Sequence, residues 1–573
     1  MFEPYFLVRF IQFFNSIIQI MQLTIPEIEN HLDSLTWGAS EEEKGEVFTN
    51  PDIVNFMLKT SGISDAINAK SVRILEPSCG QGEFVIAIAK LLVANITDNQ
   101  EHYTIDFIKG MVQAFDISSE NIVIAKQKTN EVLLKALTVE EANSIVESWF
   151  YHGDFLLADF STCFSHVIGN PPYVRIENIP PSLLSAYRFR YHTMKERADL
   201  YIAFYQKCLE LLEVKGVLSF ICTDRWTKNS YGSSLRGFIS ASYQLDLYVD
   251  LYGQSAFQSD VLTYPAITQI SRQKHKSTII LHNPEIDSKL SESVYLVLSG
   301  QDKSLHKLTE RKDIIENDKP WLFGAVDELN LIKRLERDFP TMEDVGCKVY
   351  IGAATGNNKV YIVGDDVALE PSRKVPLVTA TDIRSGTLVH SGKFIVNTYD
   401  ENGVVKLTDF PMLQEYLTQH KEVLQERHVA KKSPHHWFKT IDRVYPERAA
   451  QEKLLIPDIK SKLTTVYDPG QYHPNNSIYY ICSSDWDIRA LQGVLISGIG
   501  QLFVENYSTK VAGGNLRFQA QHLRRICLPR WEDVDSDLAT ALSEVAINND
   551  IEKSILLTSK LYKLNKQEQQ LLG

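Results

Sequence analysis

The sequence predicts an α/β protein built on a doubly wound, mostly parallel sheet, followed by an α+β region. Short apolar strands alternate with helical segments up to about residue 275, which is the pattern of repeated strand–helix–strand units. Turns with polar or glycine residues directly follow several of these strands, at the edge where a parallel sheet binds its ligands. From Val345 the pattern changes to short Val/Ile/Tyr segments separated by turn residues, which indicates a second domain of different architecture.

Each predicted strand of the first domain is a short run of apolar residues bounded by turn residues, and each helix is a longer segment between two strands. The strands are predicted at residues 72–75, 112–116, 164–168 and 216–222, and the helices at 85–94, 118–148 and 198–212. The second region is predicted to have strands at 349–351, 359–363, 393–397, 454–457 and 478–482, and a final helix at 551–572.

The elements divide the chain into four predicted regions. Residues 1–45 form a helical extension, residues 46–275 the α/β domain, residues 276–340 a charged connector, and residues 341–573 the α+β domain with its C-terminal helix. Charged and amide side chains interrupt the apolar stretch of the extension, so we expect it to pack on the protein body and not to span a membrane. Contact with a membrane surface or with a partner is the alternative.

Composition restricts the class of protein. The chain has 573 residues, 44% hydrophobic and 23% charged, with a formal net charge of −13, which excludes collagen-like, low-complexity and wholly disordered proteins. The acidic balance argues against a DNA-binding protein held by bulk positive charge, but it allows a local basic face. Seven scattered cysteines without a C-x-x-C pair predict no disulfide framework and no zinc site, which fits a cytoplasmic location.

A glycine-bearing turn, residues 76–84, follows the first predicted strand. Gly80 and Gly82 let the backbone approach a ligand without a Cβ in the way, and the turn has no G-x-x-x-x-G-K phosphate-binding pattern. Asp116 ends the next strand and could bind the two hydroxyls of a ribose. A purely structural turn is an equally good interpretation of this pair.

A further acidic-aromatic pair, Asp154-Phe155, follows Gly153 in a predicted loop. An Asp can accept a hydrogen bond from an adenine amino group while a Phe packs on the ring. By itself, however, such a pair is more often a helix cap and a core residue.

The strongest signal is the tetrapeptide Asn170-Pro171-Pro172-Tyr173 at the end of the 164–168 strand. An exocyclic amino nitrogen on an aromatic base is a poor nucleophile, because its lone pair is delocalised into the ring. The Asn170 side-chain oxygen and the Pro171 carbonyl, held by the stiff Pro-Pro backbone, would localise that lone pair. Tyr173 offers a flat face on which the base can stack. The tetrapeptide predicts direct transfer of a sulfonium methyl group to an amino nitrogen, and a rigid exposed turn is the alternative.

The order of these motifs resembles that of the amino-group DNA methyltransferases, and among them the TaqI-type adenine-N6 enzymes of restriction-modification systems. These enzymes place the cofactor motif first and the target-recognition region last. The resemblance covers about residues 45–270. It implies a class I methyltransferase domain with a seven-stranded sheet, S-adenosylmethionine as cofactor, and an adenine flipped out of duplex DNA as substrate.

The same resemblance implies roles for individual residues. The cofactor-binding residues that it implies are Thr49, Glu76, Pro77, Ser78, Gly80, Asp116, Asp154, Phe155 and Asn170. The catalytic loop that it implies is Asn170, Pro171, Pro172 and Tyr173. Tyr231 is the candidate for a second aromatic ring on the flipped base, and a surface aromatic is an equally good interpretation. Cys79 lies inside the cofactor turn, but no Pro-Cys loop accompanies it, so we do not expect a catalytic thiol.

The C-terminal region is predicted to bind DNA. Residues 352–363, 491–502 and 513–518 resemble, more loosely, parts of the family's specificity domain. Residues 421–530 contain 16 Lys/Arg and 10 Asp/Glu within a chain of net charge −13. The candidate DNA contacts are Lys431, Lys432, Arg524 and Arg525, with a solvated face as the alternative. His435 and His436 have no companion ligands at metal-site spacing, so we expect no metal.

These observations together predict a site-specific DNA adenine-N6 methyltransferase. We expect it to act as a monomer on double-stranded DNA, and to protect that DNA from a cognate restriction endonuclease that it does not bind. An RNA adenine or protein-glutamine N-methyltransferase is an alternative, because such enzymes also carry Asn-Pro-Pro-Tyr. A non-catalytic DNA-recognition subunit of a restriction complex is another.

Overall fold

A computed structural model of the protein describes residues 49–70, 72–98, 103–252, 265–273, 277–301, 309–311, 314–508, 510–511 and 514–572. The chain divides into two compact units, Met1–Phe323 and Gly324–Gly573, and the four predicted domain boundaries stay predictions. The predicted helical extension at residues 1–45 lies outside the described residues. Among the described helices, none is both long enough and apolar enough to cross a membrane.

A single nine-stranded sheet forms the centre of the first unit. Its strands are β1 (Ile74–Glu76), β2 (Val112–Asp116), β3 (Phe150–His152), β4 (Phe164–Gly169), β5 (Leu212–Thr223), β6 (Gln244–Asp250), β7 (Pro265–Ser271), β8 (Thr278–His282) and β9 (Thr309–Arg311). They lie in the order β3-β2-β1-β4-β5-β7-β6-β8-β9. Strands β3, β2, β1, β4 and β5 run parallel, whereas β7 is antiparallel to both β5 and β6.

The predicted doubly wound, mostly parallel architecture is confirmed, but the sheet has nine strands instead of the seven expected. The additional strands, β8 and β9, come from the segment that was expected to be a connector. Strand β8 is an apolar run that pairs in parallel with β6, and β9 pairs with β8. This part of the predicted connector therefore extends one edge of the sheet.

Helices cover both faces of this sheet. They are α1 (Pro51–Thr60), α2 (Ile63–Asn68), α3 (Glu83–Thr97), α4 (Ile105–Lys109), α5 (Ser119–Leu133), α6 (Val139–Trp149), α7 (Pro181–Arg190), α8 (Tyr201–Glu210), α9 (Ser233–Ser242) and α10 (Ser288–Leu298). Apolar side chains of α1, α3, α5 and α6 bury one face, and those of α7, α8 and α9 bury the other. The helix predicted at 118–148 is two helices, because Thr138 forms a capping box that starts α6.

The second unit is α+β, as predicted. Its strands are β10 (Cys347–Ile351), β11 (Ile362–Val363), β12 (Lys374–Val378), β13 (Phe394–Val396), β14 (Tyr399–Asp400), β15 (Gly403–Val404), β16 (Lys453–Pro457), β17 (Ile459–Lys460), β18 (Val466–Asp468), β19 (His473–Pro474), β20 (Ile478–Ser483), β21 (Lys510–Val511) and β22 (Asn515–Arg517). Its helices are α11 (Val326–Asp338), α12 (Asn358–Tyr361), α13 (Pro411–Gln419), α14 (Lys421–Gln425), α15 (His428–Lys432), α16 (Pro446–Ala449), α17 (Ile488–Leu495), α18 (Ile499–Tyr507), α19 (Ala520–Leu523), α20 (Ser536–Asn548), α21 (Ile551–Leu561) and α22 (Lys566–Gln570). Two four-stranded sheets, β10-β20-β16-β18 and β11-β13-β12-β19, organise it.

Two predicted elements of this unit were wrong in detail. The strand expected at 359–363 begins as the short helix α12 and is extended only at Ile362–Val363. The single helix expected at 551–572 is two helices, α21 and α22. Lys563 between them has a φ of 50°, and the Asn565 side chain caps α22, so the chain turns there.

A fully buried ion pair lies in the core of the second unit. Lys453 and Asp468 are 2.9 Å apart, and both side chains are 0% exposed. Lys453 also donates to the carbonyls of Ala449 and Gln451. Asp468 accepts hydrogen bonds from the backbone amides of residues 470–472. Both charges are therefore compensated inside the protein.

Six of the seven cysteine thiols are buried, and Cys163, which precedes β4, is exposed. Burial and the nearby Glu76 and Asp116 carboxylates raise the pKa of the Cys79 thiol well above its usual value. This environment favours the protonated thiol over the thiolate that a nucleophile requires.

Candidate functional site

The turn between β1 and α3 is shaped by its glycines. The Cys79 amide donates to the Phe115 carbonyl at 2.7 Å, and the Gly82 amide donates to the Cys79 carbonyl at 2.8 Å. Gly80 and Gly82 have φ values of 52° and 92°, which side-chain-bearing residues rarely adopt. A Cβ at Gly82 would lie 3.0 Å from the Cβ of Ala125. Backbone geometry and close packing both require glycine at position 82.

Asp116 is fixed against this turn. Its Oδ2 accepts from the Gly80 amide at 2.8 Å, and its Oδ1 accepts from the Ser118 amide at 2.8 Å and from the Asn121 side chain at 3.4 Å. These hydrogen bonds hold Asp116 in a set orientation at the carboxyl end of β2.

Glu76 is the most unusual acid of the site. It is 1% exposed, and its Oε2 is buried without a hydrogen-bond partner among the described residues. Burial, followed by the Glu83 and Asp116 charges, raises its carboxyl pKa well above the usual value. A positively charged neighbour would stabilise the ionised form of such a buried carboxyl group. The residues present thus fit a ligand that carries an ammonium or sulfonium group, as S-adenosylmethionine does.

The loop after β4 is tied to the turn between β1 and α3. The Ser78 hydroxyl donates to the Asn170 carbonyl at 3.0 Å, and the Asn170 Nδ2 donates to the Thr49 Oγ1 at 3.4 Å. Pro77 packs beside the end of β4, since a Cβ at Gly169 would lie 3.4 Å from the Pro77 Cδ. The structure therefore brings the predicted residues Thr49, Pro77, Ser78 and Asn170 together.

The aromatic ring of the loop lies against the sheet. The Tyr173 hydroxyl donates to the Ile221 carbonyl at 3.3 Å, while Pro171 is buried and Pro172 partly buried. Burial, together with the Cys222 and Tyr205 side chains, raises the pKa of the Tyr173 phenol well above its usual value. Tyr173 is therefore a neutral aromatic ring at physiological pH.

Tyr231 packs against the same hydrophobic cluster as Tyr173. Its hydroxyl is 2.9 Å from the hydroxyl of Tyr201. Its role as a second aromatic ring on the base stays a prediction.

Sequence reasoning missed the residue that shapes the turn carrying Tyr231. Arg236 is 2% exposed and donates to the carbonyls of Trp226 at 2.6 Å and Asn229 at 2.8 Å. Gly232 packs directly on this turn, because a Cβ there would lie 1.9 Å from the Trp226 carbonyl oxygen. An arginine on a helix gives no local signal for such a role.

Asp154 and Phe155 follow β3 and are held by side chains from α7 and from the core. The Asp154 Oδ2 accepts from the Tyr187 hydroxyl at 2.6 Å, and its Oδ1 accepts from the Leu156 amide at 2.8 Å. Burial is the largest cause of a raised Asp154 pKa. Phe155 is 3% exposed, and its ring packs against Phe115, Phe160 and Phe204.

The four predicted DNA contacts of the second unit differ in their surroundings. Lys431 and Lys432 are exposed on α15. Arg524 and Arg525 instead interact within their own unit, at 2.9 Å and 3.9 Å from acidic side chains. The acidic partners are Glu343 for Arg524 and Glu336 for Arg525. Across the described ranges, no group of three or more His, Cys, Asp or Glu residues is arranged to hold a metal ion.

Comparison with known proteins gives two family matches. Residues 67–257 match the Eco57I restriction-modification methylase family, and residues 400–528 match the TaqI-like C-terminal specificity domain. The type IIL restriction-modification enzyme MmeI, solved in complex with DNA, aligns over 98% of this chain and 75% of its own length, with a TM-score of 0.60 and 13% identity. This structural likeness supports the fold.

The similarity to curated relatives extends over almost the whole length of both chains. Type II methyltransferase M.XhoI of Xanthomonas vasicola is 41% identical over 93% of this chain and 99% of its own. Type II methyltransferase M.PaeR7I of Pseudomonas aeruginosa is 41% identical over 94% and 95%. The family implies S-adenosylmethionine as the cofactor. The chain therefore belongs to the type II DNA methyltransferases of restriction-modification systems.

Proposed function

We propose that the protein transfers a methyl group from S-adenosylmethionine to N6 of an adenine that is flipped out of duplex DNA at a specific site. The observation that carries this proposal is the tie between the cofactor turn and the Asn170 loop, through the 3.0 Å hydrogen bond from Ser78 to Asn170. This bond supports the proposal because it holds the Asn170 loop against the turn that would receive the cofactor.

The residues of the loop account for the chemistry. The Asn170 side-chain oxygen and the Pro171 carbonyl accept the two hydrogens of the adenine amino group, which concentrates the lone pair on the nitrogen. When bound, S-adenosylmethionine supplies an electrophilic methyl group on a sulfonium. The neutral Tyr173 ring stacks on the extruded base, with Tyr231 as a second aromatic nearby.

The cofactor-binding residues contact different parts of S-adenosylmethionine. Asp116 accepts hydrogen bonds from the ribose hydroxyls, and the buried Glu76 faces the positively charged end. Asp154 and Phe155 bind the purine end. Gly80 lets the backbone approach the ligand closely, and Thr49 and Ser78 hold the Asn170 loop beside it.

For DNA binding we assign phosphate contacts to Lys431 and Lys432, since both are exposed cations of the specificity domain. Arg524 and Arg525 remain candidates. To bind a phosphate, each guanidinium group would have to leave its acidic partner within the protein. We further assign the protein a monomeric state and a protective role against a cognate endonuclease. Sedimentation of the protein alone, and resistance of methylated plasmid to that endonuclease, test these two assignments.

The decisive experiment compares Asn170→Ala with wild type. We expect the variant to retain DNA and cofactor binding. Its kcat should fall about 10²–10³-fold, because the side-chain oxygen that accepts a hydrogen bond from the amino group in the transition state is removed. Asn178→Ala, which removes an exposed carboxamide in the turn after the loop, is the matched control and should be as active as wild type.

The chemical identity of the product is tested by digesting methylated DNA to nucleosides for mass spectrometry. N6-methyl-2′-deoxyadenosine in the digest supports the proposal. Methyl groups on cytosine, RNA or protein glutamine, or full activity of Asn170→Ala, would contradict it. DNA binding by wild type without any transfer would favour a recognition subunit instead.

A further inference from the structure

Lys207 of α8 is a buried cation that the proposed chemistry does not use. It is 7% exposed, and its Nζ donates to the carbonyl of Phe155 and, at 2.5 Å, to the carbonyl of Ala158. The same Nζ lies 4.5 Å from the centroid of the Phe155 ring and 4.9 Å from that of the Phe160 ring. A buried ammonium requires such partners, and here they all come from residues 154–160.

This segment, residues 154–160, is otherwise held by α7 and the residue after it. The Tyr191 hydroxyl donates to the Leu156 carbonyl at 2.5 Å, and Arg190 donates to the Leu157 carbonyl at 2.9 Å. The carbonyls of residues 155–158 therefore all accept hydrogen bonds from side chains of neighbouring elements. Lys207 donates to the first and the last of these carbonyls, so it fixes the conformation of the segment.

We infer that Lys207 is a positioning residue for the cofactor, because it holds residues 154–160 in the conformation that receives the purine end of S-adenosylmethionine. The inference rests on the assignment of Asp154 and Phe155 in the proposed function. Lys207 acts through this segment and does not itself touch the ligand.

Lys207 should make purine binding depend on pH. Burial lowers the pKa of Lys207 to about 8, and Arg190 on α7 lowers it too, while the neighbouring Cys208 and the carboxylates of Asp154 and Asp159 raise it. Above that pH the amine keeps two N–H donors but loses its charge. Charge-assisted hydrogen bonds are about twice as strong as neutral ones, so we expect purine binding to weaken about fivefold from pH 7 to pH 9.

The probe for this experiment is 5′-methylthioadenosine. It carries the purine end of the cofactor but no amino-acid group that titrates between pH 7 and pH 9. Its Kd for the full-length protein is measured by calorimetry at both pH values. Wild type should bind about fivefold more weakly at pH 9. Lys207→Arg, whose guanidinium stays charged, should lose this pH dependence, and Lys207→Met should bind weakly at both pH values.

Lys90→Met, which removes an exposed lysine from α3, is the control and should behave as wild type. Equal wild-type affinity at pH 7 and pH 9, no binding of the probe at pH 7, or a folded Lys207→Met that binds as wild type would overturn the inference. If both variants unfold, the wild-type pH series decides alone. None of these readouts depends on methyl transfer, so they are independent of whether adenine is the methylated base.

Discussion

The Ser78 hydroxyl donates a 3.0 Å hydrogen bond to the main-chain carbonyl of Asn170, 92 positions further along the chain. The turn after β1 thereby holds the loop after β4. We expect Ser78→Ala to lower kcat about fivefold while DNA affinity stays unchanged, because a bond of this kind contributes about 1 kcal/mol. Steady-state kinetics on a DNA substrate measure this. Ser185→Ala, which removes a bond to the Pro181 carbonyl on the exposed side of α7, should leave kcat unchanged.

Glu76→Gln should stabilise the cofactor-free protein and weaken cofactor binding. Glu76 has a raised pKa because of its burial, so the folded protein retains a proton that the unfolded chain releases above about pH 4.5. Stability is therefore lost as the pH rises through the folded pKa, and Gln does not incur that loss. We expect Tm to rise by about 2–4 °C for each kcal/mol gained, and the Kd for S-adenosylmethionine to rise about tenfold or more.

Thermal melts with and without cofactor measure both effects of Glu76→Gln. Glu131→Gln, an exposed substitution on α5, should change neither. A Glu76→Gln protein that melts below wild type in the absence of cofactor would show that the Glu76 charge is compensated inside the protein.

Acid should destabilise the second unit through His473. This residue is 2% exposed, its Nδ1 lies 2.9 Å from the Pro474 carbonyl, and its Nε2 accepts from the Tyr445 amide at 3.4 Å. Burial lowers its pKa from 6.5 to about 4. The stability that it provides is therefore present above pH 6.5 and is lost as the pH falls towards 4.

We expect about 3 kcal/mol of stability to be lost from this group between pH 7 and pH 4. Urea unfolding of wild type and His473→Gln over that range measures the difference, and the variant should have a flatter pH dependence. His435→Gln, at an exposed position, should follow wild type. Parallel curves for wild type and His473→Gln would refute the assignment.

Breaking the buried pair of Lys453 and Asp468 should be costly. Lys453→Met leaves the Asp468 carboxylate buried without its cation, and we expect a loss of about 3–5 kcal/mol in the free energy of unfolding. The double substitution Lys453→Met/Asp468→Leu should recover part of that loss, because neither charge of this pair then remains in the core. Denaturant unfolding of the three proteins is the measurement, and equal stability of Lys453→Met and wild type would count against this account.

The parts of the site that could be predicted from the sequence are those that a parallel sheet brings together by itself. Glu76, Asp116 and Asn170 each follow or end a strand, so their proximity follows from the fold class. Tyr187 and Lys207 could not be predicted, because they reach Asp154 and Phe155 across 33 and 52 positions. The local sequences of α7 and α8 do not indicate these partners.

Strand β8 shows that the fold, too, can be predicted from local sequence only in part. Its residues form a plausible strand, but whether they join the sheet is decided by pairing with β6, which starts more than thirty positions earlier. The helix α12 was mistaken for a strand because Lys359–Val363 is rich in β-formers, while its start is set by an Asn-rich turn that sequence patterns treat as a loop.

Because Cys163 is exposed and the other six cysteines are buried, a maleimide fluorophore would attach to the native protein at a single position. Strand β4 runs from Phe164 to Gly169, so the dye would be at the opposite end of that strand from Asn170. Energy transfer from this dye to a labelled oligonucleotide would therefore follow the arrival of DNA in real time without disturbing the loop that we propose receives the base.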